Sequence, residues 1–250
     1  MIRLKSPEQI AGIRASCVVL SELFSRLRPM VKPGASPLDL DASARNFIEQ
    51  AGGRPAFLDY EGFPATLCFS VNDTVIHGIP GKRLLEEGDI VGIDTGVDLN
   101  GYFSDAAVTW PVGKVSPEAE KLMSVTRECL VRGIAAAKPG ARIHDISRAV
   151  FSLATASGYG VVRQYCGHGV GVEIHEDPQI PNYVSAGPNP RILPGMVLAI
   201  EPMINLGTGD VRVLGDDWTV VTLDGKISAH YEHTILITQN GPEALTSWQF

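Results

Sequence analysis

The apolar and polar positions of this chain follow one series of elements, and they run through it twice. Each half opens with a helical segment that stops at Lys-Pro-Gly. It resumes as an amphipathic helix and closes in β-rich sequence, where a buried apolar strand ends on a carboxylate. The first helix is predicted to start after Ser6 as N-cap, with Pro7 at the first helical position and Gln9 completing a capping box. The second helices read SPLDLDASARNFIEQAGG and RIHDISRAVFSLATASGYG, and both run into glycines suited to a C-cap.

The repetition extends to residue identity. VKPGASPLDL at Val31 returns as AKPGARIHDI at Ala137, with Lys, Pro, Gly, Ala and Asp recurring 106 positions later. GDIVGID, ending at Asp94, returns as GMVLAIE, ending at Glu201, at an offset of 107. Two matches at nearly one offset indicate an internal duplication. We expect two pseudo-symmetric α/β halves, about 1–115 and 116–250, with no polar linker between them and therefore one sheet, one core and one domain over 1–250. Asp94 and Glu201 would then meet across the pseudo-axis, where a single site would lie.

Asn100-Gly101 between two β-rich runs is a strong hairpin signal. A two-residue turn there pairs Leu99 with Tyr102 and sets Asp105 opposite Gly96, diagonal to Asp94 on one face. Alone, this pair would read as solvated aspartates. The second half changes that reading, because Glu201 follows a nearly continuous apolar run and Glu232 opens onto another. The gap from Asp94 to Asp105 is 11 residues and that from Glu201 to Glu232 is 31, so the second hairpin is expected to carry 20 extra residues, Trp218 among them.

Four carboxylates converging on buried strands repel one another and would take up protons unless cations compensate. Two divalent ions balance four such charges, and His168 in YCGHGVGVEIHEDP supplies a neutral nitrogen ligand. An oxygen-rich set with one imidazole and no thiolate suits Mn, Fe(II) or Co, with Zn admissible, and it does not suit a structural zinc cage. In that segment the glycines argue against a helix. An odd separation along a regular strand would point His168 and His175 to opposite sides, so a bend is needed to bring both to one pocket.

Composition narrows the rest. With 44% hydrophobic and 20% charged residues in 250, the chain is an ordinary globular protein large enough for a full core. No apolar run approaches the roughly 18 residues of a membrane span, and the N-terminal sequence lacks a signal-peptide plan. The four scattered cysteines suit reduced thiols in the cytoplasm. A net charge of −7 excludes a general DNA binder. Residues 1–34 hold six Lys/Arg against two Asp/Glu, which fits either a solvated helix surface or a basic docking face.

Asp94, Asp105, His168, Glu201 and Glu232, in the blocks NDTVIHGIP, YCGHGVGVEIHEDP, AIEPMIN and YEHTILI, resemble the five-ligand pattern of the methionine aminopeptidases, most closely the short bacterial type I enzymes of the M24 peptidases. The likeness runs from the first helix to about residue 245. It implies the α+β pita-bread fold, two halves sharing a curved antiparallel sheet with helices on its outer face. It also implies a monomer that removes the initiator methionine of nascent chains when the second residue is small, through a water that bridges two metal ions and attacks the scissile carbonyl.

By the same resemblance Glu201 is both ligand and proton acceptor, and His77 and His175 contact the substrate. Tyr60, Phe63, Cys68 and Trp218 would line the methionine pocket, and Asn72, Thr74 and Ser228 resemble a monovalent-cation site. Ile174 and Phe57 depart from the family pattern and leave the pocket outline open. His144, His230 and His233 match no catalytic position and are expected to be structural or surface residues. A proline-specific peptidase of the same fold would share the ligands, but usually carries a sizeable N-terminal domain.

Overall fold

The computed structural model describes residues 1–248. Helix α1 (Pro7–Leu27) begins as the sequence dictates: Ser6 Oγ accepts from the Gln9 amide, and the Gln9 side chain returns to the Ser6 amide. Its stripe of Ile13, Cys17, Leu20, Phe24 and Leu27 is buried, at helical spacing. Helix α2 (Pro37–Gln50) has Ser36 as N-cap, and Gly52 follows with φ 81°, the left-handed conformation that lets the chain turn out of a helix. In the second half α3 (Pro117–Ala136) and α4 (Ile143–Ala156) repeat the pair. Helices α2 and α4 are each 14 residues long, and their starts are 106 positions apart.

The first hairpin joins strands Ile90–Leu99 and Tyr102–Pro111, with Leu99 opposite Tyr102 and Gly96 opposite Asp105, the register that the Asn-Gly turn predicts. Asn100 (φ 56°) and Gly101 (φ 82°) both take the positive φ of such a turn. In the second half, strand Val197–Ile200 pairs antiparallel with His233–Thr238. Strand Gly167–Gly169 lies on its other side and carries His168 opposite Ala199.

Beyond the break at Glu201-Pro202, Met203–Asn205 pairs with Ser228–His230. Partner numbers total 433 on both sides of that break (His233 with Ile200, His230 with Met203), so Glu201 and Glu232 stand directly opposite each other. The expected equivalence therefore needs correction. Glu232 corresponds to Ala107, the partner of Asp94, and the residue corresponding to Asp105 is His230. Asp94 and its partner are 13 residues apart and Glu201 and its partner 31, which makes the insertion 18 residues rather than 20.

The backbone ladders of the described residues form four sheets, one of which joins strands of both halves, and further hydrogen bonds clasp the halves together. Thr234 Oγ1 donates to Asp105 O at 2.7 Å, Thr109 Oγ1 donates to His230 O at 2.8 Å, and the Glu232 amide donates to Ala107 O at 2.8 Å. The main core draws Leu20, Phe24 and Trp110 from one half and Leu130, Ile146 and Ile200 from the other. Each such side chain contributes about 1.5–3 kcal/mol on burial, so both halves depend on the same core. No helix among the described residues is long and apolar enough to cross a membrane. All four cysteines are free.

Candidate metal centre

A cleft of about 630 Å³ opens over the ends of these strands. Its floor holds Asp94, Asp105, His168, Glu201 and Glu232, which the sequence separates by up to 138 positions. The floor is buried: Asp105 and Glu232 are each 2% exposed and Asp94 and Glu201 each 9%. Asp94 Oδ1, Asp105 Oδ1 and Glu232 Oε1 are buried without a hydrogen-bond partner. Oxygens of Asp94, Asp105 and Glu232 lie within 4.8 Å of one another, as do ligand atoms of His168, Glu201 and Glu232.

Uncompensated buried carboxylates cost several kcal/mol each, and burial shifts their protonation accordingly. The Asp94 carboxyl is pushed up to about 7, first by burial and then by the Glu201 charge. Burial holds Asp105, Glu201 and Glu232 well above the ordinary carboxylate range, with mutual repulsion adding at Asp105 and Glu232. A set this crowded and this short of donors fits cations.

His168 is prepared for the same purpose. Its Nδ1 lies 3.0 Å from Gly169 O. A carbonyl can only accept, so the proton sits on Nδ1 and the Nε2 lone pair is left for a ligand. That Nε2 faces Glu201 Oε1 at 3.4 Å and Asp105 Oδ2 at 3.7 Å. Burial lowers the imidazole pKa to about 3, so it is neutral and ligand-ready at physiological pH.

The bend required between the two histidines is present. Gly171 has φ 133°, and the His168 and His175 rings meet edge to face with centroids 4.4 Å apart. His175 Nδ1 is 2.9 Å from Tyr60 Oη, which leaves Nε2 for other partners, and burial lowers its pKa. His77 sits at φ 57°, a strained conformation for a non-glycine residue of the kind that concentrates at functional sites. Its ring packs edge-on against Tyr165 at 5.6 Å and Trp218 at 6.2 Å, and burial lowers its pKa to about 4.

Tyr60, Phe63, Cys68 and Trp218 all line the cleft. Cys68 is the register partner of Asp94, which fixes an apolar wall beside the carboxylate floor. Phe63 and Trp218 meet edge to face at 5.2 Å. Trp218 comes from the insertion, whose strand Val220–Thr222 crosses to pair with Thr74–Ile76 of the first half. Phe57 lines the cleft too, whereas Ile174 is 4% exposed and packs in the apolar cluster that holds Phe57, Phe63 and Cys68.

Asn72 and Ser228 are brought together, the Ser228 amide donating to Asn72 O at 2.8 Å, while Thr74 lies on the adjoining strand. The Asn72 side chain is engaged elsewhere, donating to Asp89 Oδ1 and accepting from the Ile90 amide.

His230, expected to be a structural or a surface residue, is buried: it is 4% exposed, its Nε2 has no hydrogen-bond partner, and that atom lies 3.7 Å from Glu201 Oε2. The available signal was its place two residues before Glu232, which puts its side chain on the same face of the strand. The N-terminal basic residues are largely committed within the molecule. Arg3 pairs with Glu173, Lys5 with Glu176 and Arg14 with Glu243, while Arg26 and Arg28 lie over Phe47 and Trp110. A basic docking face is therefore much reduced.

Comparison with known proteins agrees with this geometry. The profile of metallopeptidase family M24 matches residues 11–239. A methionine aminopeptidase of Treponema pallidum is 53% identical over 247 residues, covering 98% of this chain and 96% of that protein. The crystal structure of the methionine aminopeptidase from Thermotoga maritima superposes with a TM-score of 0.96 at 42% identity, covering 99% of this chain and all of that one. A prolidase from Pyrococcus furiosus shares the fold at a TM-score of 0.81 and 25% identity, but this chain covers only 66% of it. The chain belongs to metallopeptidase family M24, within its methionine aminopeptidases.

Proposed function

We propose that this chain works as one catalytic domain that removes the N-terminal methionine of newly made proteins in the cytoplasm when the second residue is small. The observation that carries the reading is the pairing of a partnerless carboxylate floor with an apolar wall. An N-terminal methionine has the matching ends, a flexible thioether for the wall and a charged amine for the acidic floor.

Asp94, Asp105, His168, Glu201 and Glu232 would hold two divalent ions, with Mn, Fe(II) or Co suited to the donors and Zn admissible. Once bound, the ions supply Lewis-acid activation of water and of the scissile carbonyl. Glu201 accepts the proton of the attacking water. His175, oriented by Tyr60, offers Nε2 to the substrate, and neutral His77 contacts the substrate near its scissile amide. Tyr60, Phe63, Cys68 and Trp218 grip the methionine side chain and exclude water. A monovalent cation near Asn72, Thr74 and Ser228 would have to meet carbonyl oxygens, because the Asn72 amide group is engaged. The enzyme acts as a monomer, and with Arg3, Lys5 and Arg14 in ion pairs, any contact of this segment with the ribosome relies on the remaining cations.

The test is release of free methionine from Met-Ala-Ser in the presence of Mn, Co or Fe(II). Release that is lost with a bulky second residue is the expected result. No release with any of the three metals, or faster cleavage of X-Pro dipeptides, overturns the proposal.

A further inference from the structure

His175 lies on a bend, Gly171–His175, rather than in a regular strand; the strand begins only at Glu176. Ladder hydrogen bonds therefore do not hold its backbone; Tyr60 Oη meets the ring at 2.9 Å, and the backbone of the bend is anchored from beneath. The residues on either side point inward: Ile174 is 4% exposed and the Glu176 side chain 2%. Glu176 Oε1 accepts from the amides of Val172 at 2.8 Å and Glu173 at 3.2 Å, which ties the bend to itself. Glu176 Oε2 accepts from Lys5 Nζ at 2.6 Å, and the Lys5 side chain is also 2% exposed.

Lys5 is itself held at a meaningful place. Its amide donates at 2.8 Å to Gly195 O, just before the strand that leads to Glu201. On the other side of the bend, the Phe103 amide donates to Gly171 O at 2.8 Å, from the strand that carries Asp105. A Cβ at Gly171 would come within 2.4 Å of Ile13 Cδ1 and 3.2 Å of Lys5 Cε, so bend and N-terminal segment are in full contact. The neighbouring Arg3–Glu173 pair is about half exposed on each side and is expected to contribute little.

A buried ion pair roughly breaks even for stability against apolar replacements, yet it imposes a fixed geometry. We propose that Lys5, through its buried pair with Glu176, is a positioning residue that aims His175 into the cleft and keeps it in register with the strands bearing Asp105 and Glu201. The inference rests on the reading of His175 as a substrate contact.

Removing Lys5 alone would leave a buried charge, so the informative variant is Lys5→Met combined with Glu176→Gln, in which Gln keeps the acceptor for both amides. With the metal-loaded full chain and Met-Ala-Ser, kcat should fall about 10-fold, as misplacement of a reacting-site group does. KM and bound metal should stay unchanged, and Lys5→Arg should retain most of the rate. In a His175→Ala background the same double substitution should have almost no further effect on kcat. Equal losses in both backgrounds would mean a general structural role and overturn the proposal, as would an unchanged kcat. A second readout is independent of catalysis: the His175 ring NMR signals should move and the Val172 and Glu173 amides should exchange faster. Unmoved signals in a folded double variant overturn the positioning role even if the wild type releases no methionine, a result that would separately defeat the functional reading.

Discussion

In the first half, Asp94 and Asp105 stand on diagonal positions of one uninterrupted ladder closed by a two-residue turn. In the second, Glu201 and Glu232 face each other where the ladder is broken, with Glu201-Pro202 and Tyr231-Glu232 lying between strands. The aspartates thus sit within a continuous ladder and the glutamates at a break in one. The 18 additional residues of the second hairpin do not alter the floor. They cross to the first half and deliver Trp218 to Phe63 and His77. Duplication thus accounts for Asp94 and Glu201, while Asp105 and Glu232 stand where the other half has His230 and Ala107, and the insertion supplies part of the apolar wall.

If both halves serve one centre, a change in either should be equally severe. Asp105→Asn and Glu201→Gln are each expected to lower kcat for Met-Ala-Ser by at least about 10³-fold, the scale seen when a main electrostatic element is lost. A strong asymmetry between the two would break the comparison. His175→Ala should lower kcat by roughly 10²-fold, the lower range for proton-transfer and hydrogen-bonding groups, with bound metal retained. Loss of metal in that variant would move His175 among the ligands, since its ring nitrogen also comes within 4.8 Å of Asp105 and His168 atoms.

Metal removal should expose the charge problem as a pH effect on stability. The Asp94 carboxyl is raised in the folded state to about 7, from an ordinary value near 3.8. A group with a raised folded pKa favours folding in its protonated form, so its contribution is complete below the ordinary value and is lost as pH rises through about 7. The three companions shift the same way. The Tm of metal-free protein should therefore fall across this range, while the metal-loaded Tm rises or holds because ligation needs the deprotonated groups. Thermal melts at several pH values with and without Mn(II) decide it.

Smaller effects probe the asymmetric parts. Trp218→Ala should raise KM for Met-Ala-Ser about 10-fold and weaken discrimination against smaller first residues, as loss of apolar pocket contacts does. His230 occupies the position that Asp105 holds in the other half, yet it offers a neutral imidazole beside Glu201. His230→Gln should lower metal affinity by about 10-fold, the lower end for a group that supports a metal ligand, and should change KM less.

Much of this was legible because it depends on local chemistry. Asn100-Gly101 dictates a two-residue turn, and the turn dictates the diagonal placement of Asp94 and Asp105. The Ser6 and Gln9 capping box is equally local. What escaped depends on contacts between distant segments. The second register is set by pairing across the break at Pro202, so counting residues between Glu201 and Glu232 mistook which residue matches Asp105. The choice between a structural and a surface His230 was likewise not local, because Thr109 of the other half holds its backbone. Ile174 looks like a pocket residue beside His175, but the bend at Gly171 turns it inward. The basic character of residues 1–34 was visible, while the Glu173, Glu176 and Glu243 partners that absorb it were not.

The central claim is that carboxylates from both halves, with His168, form one metal centre for methionine removal. It is tested most directly by titrating Mn(II) or Fe(II) into metal-free protein while recording bound metal and methionine release from Met-Ala-Ser together. The account predicts that release begins only as metal binds, that binding ends at two ions per chain, and that Asp105→Asn and Glu201→Gln each lower both. Full release without bound metal, or undiminished metal binding and turnover in both variants, would contradict it.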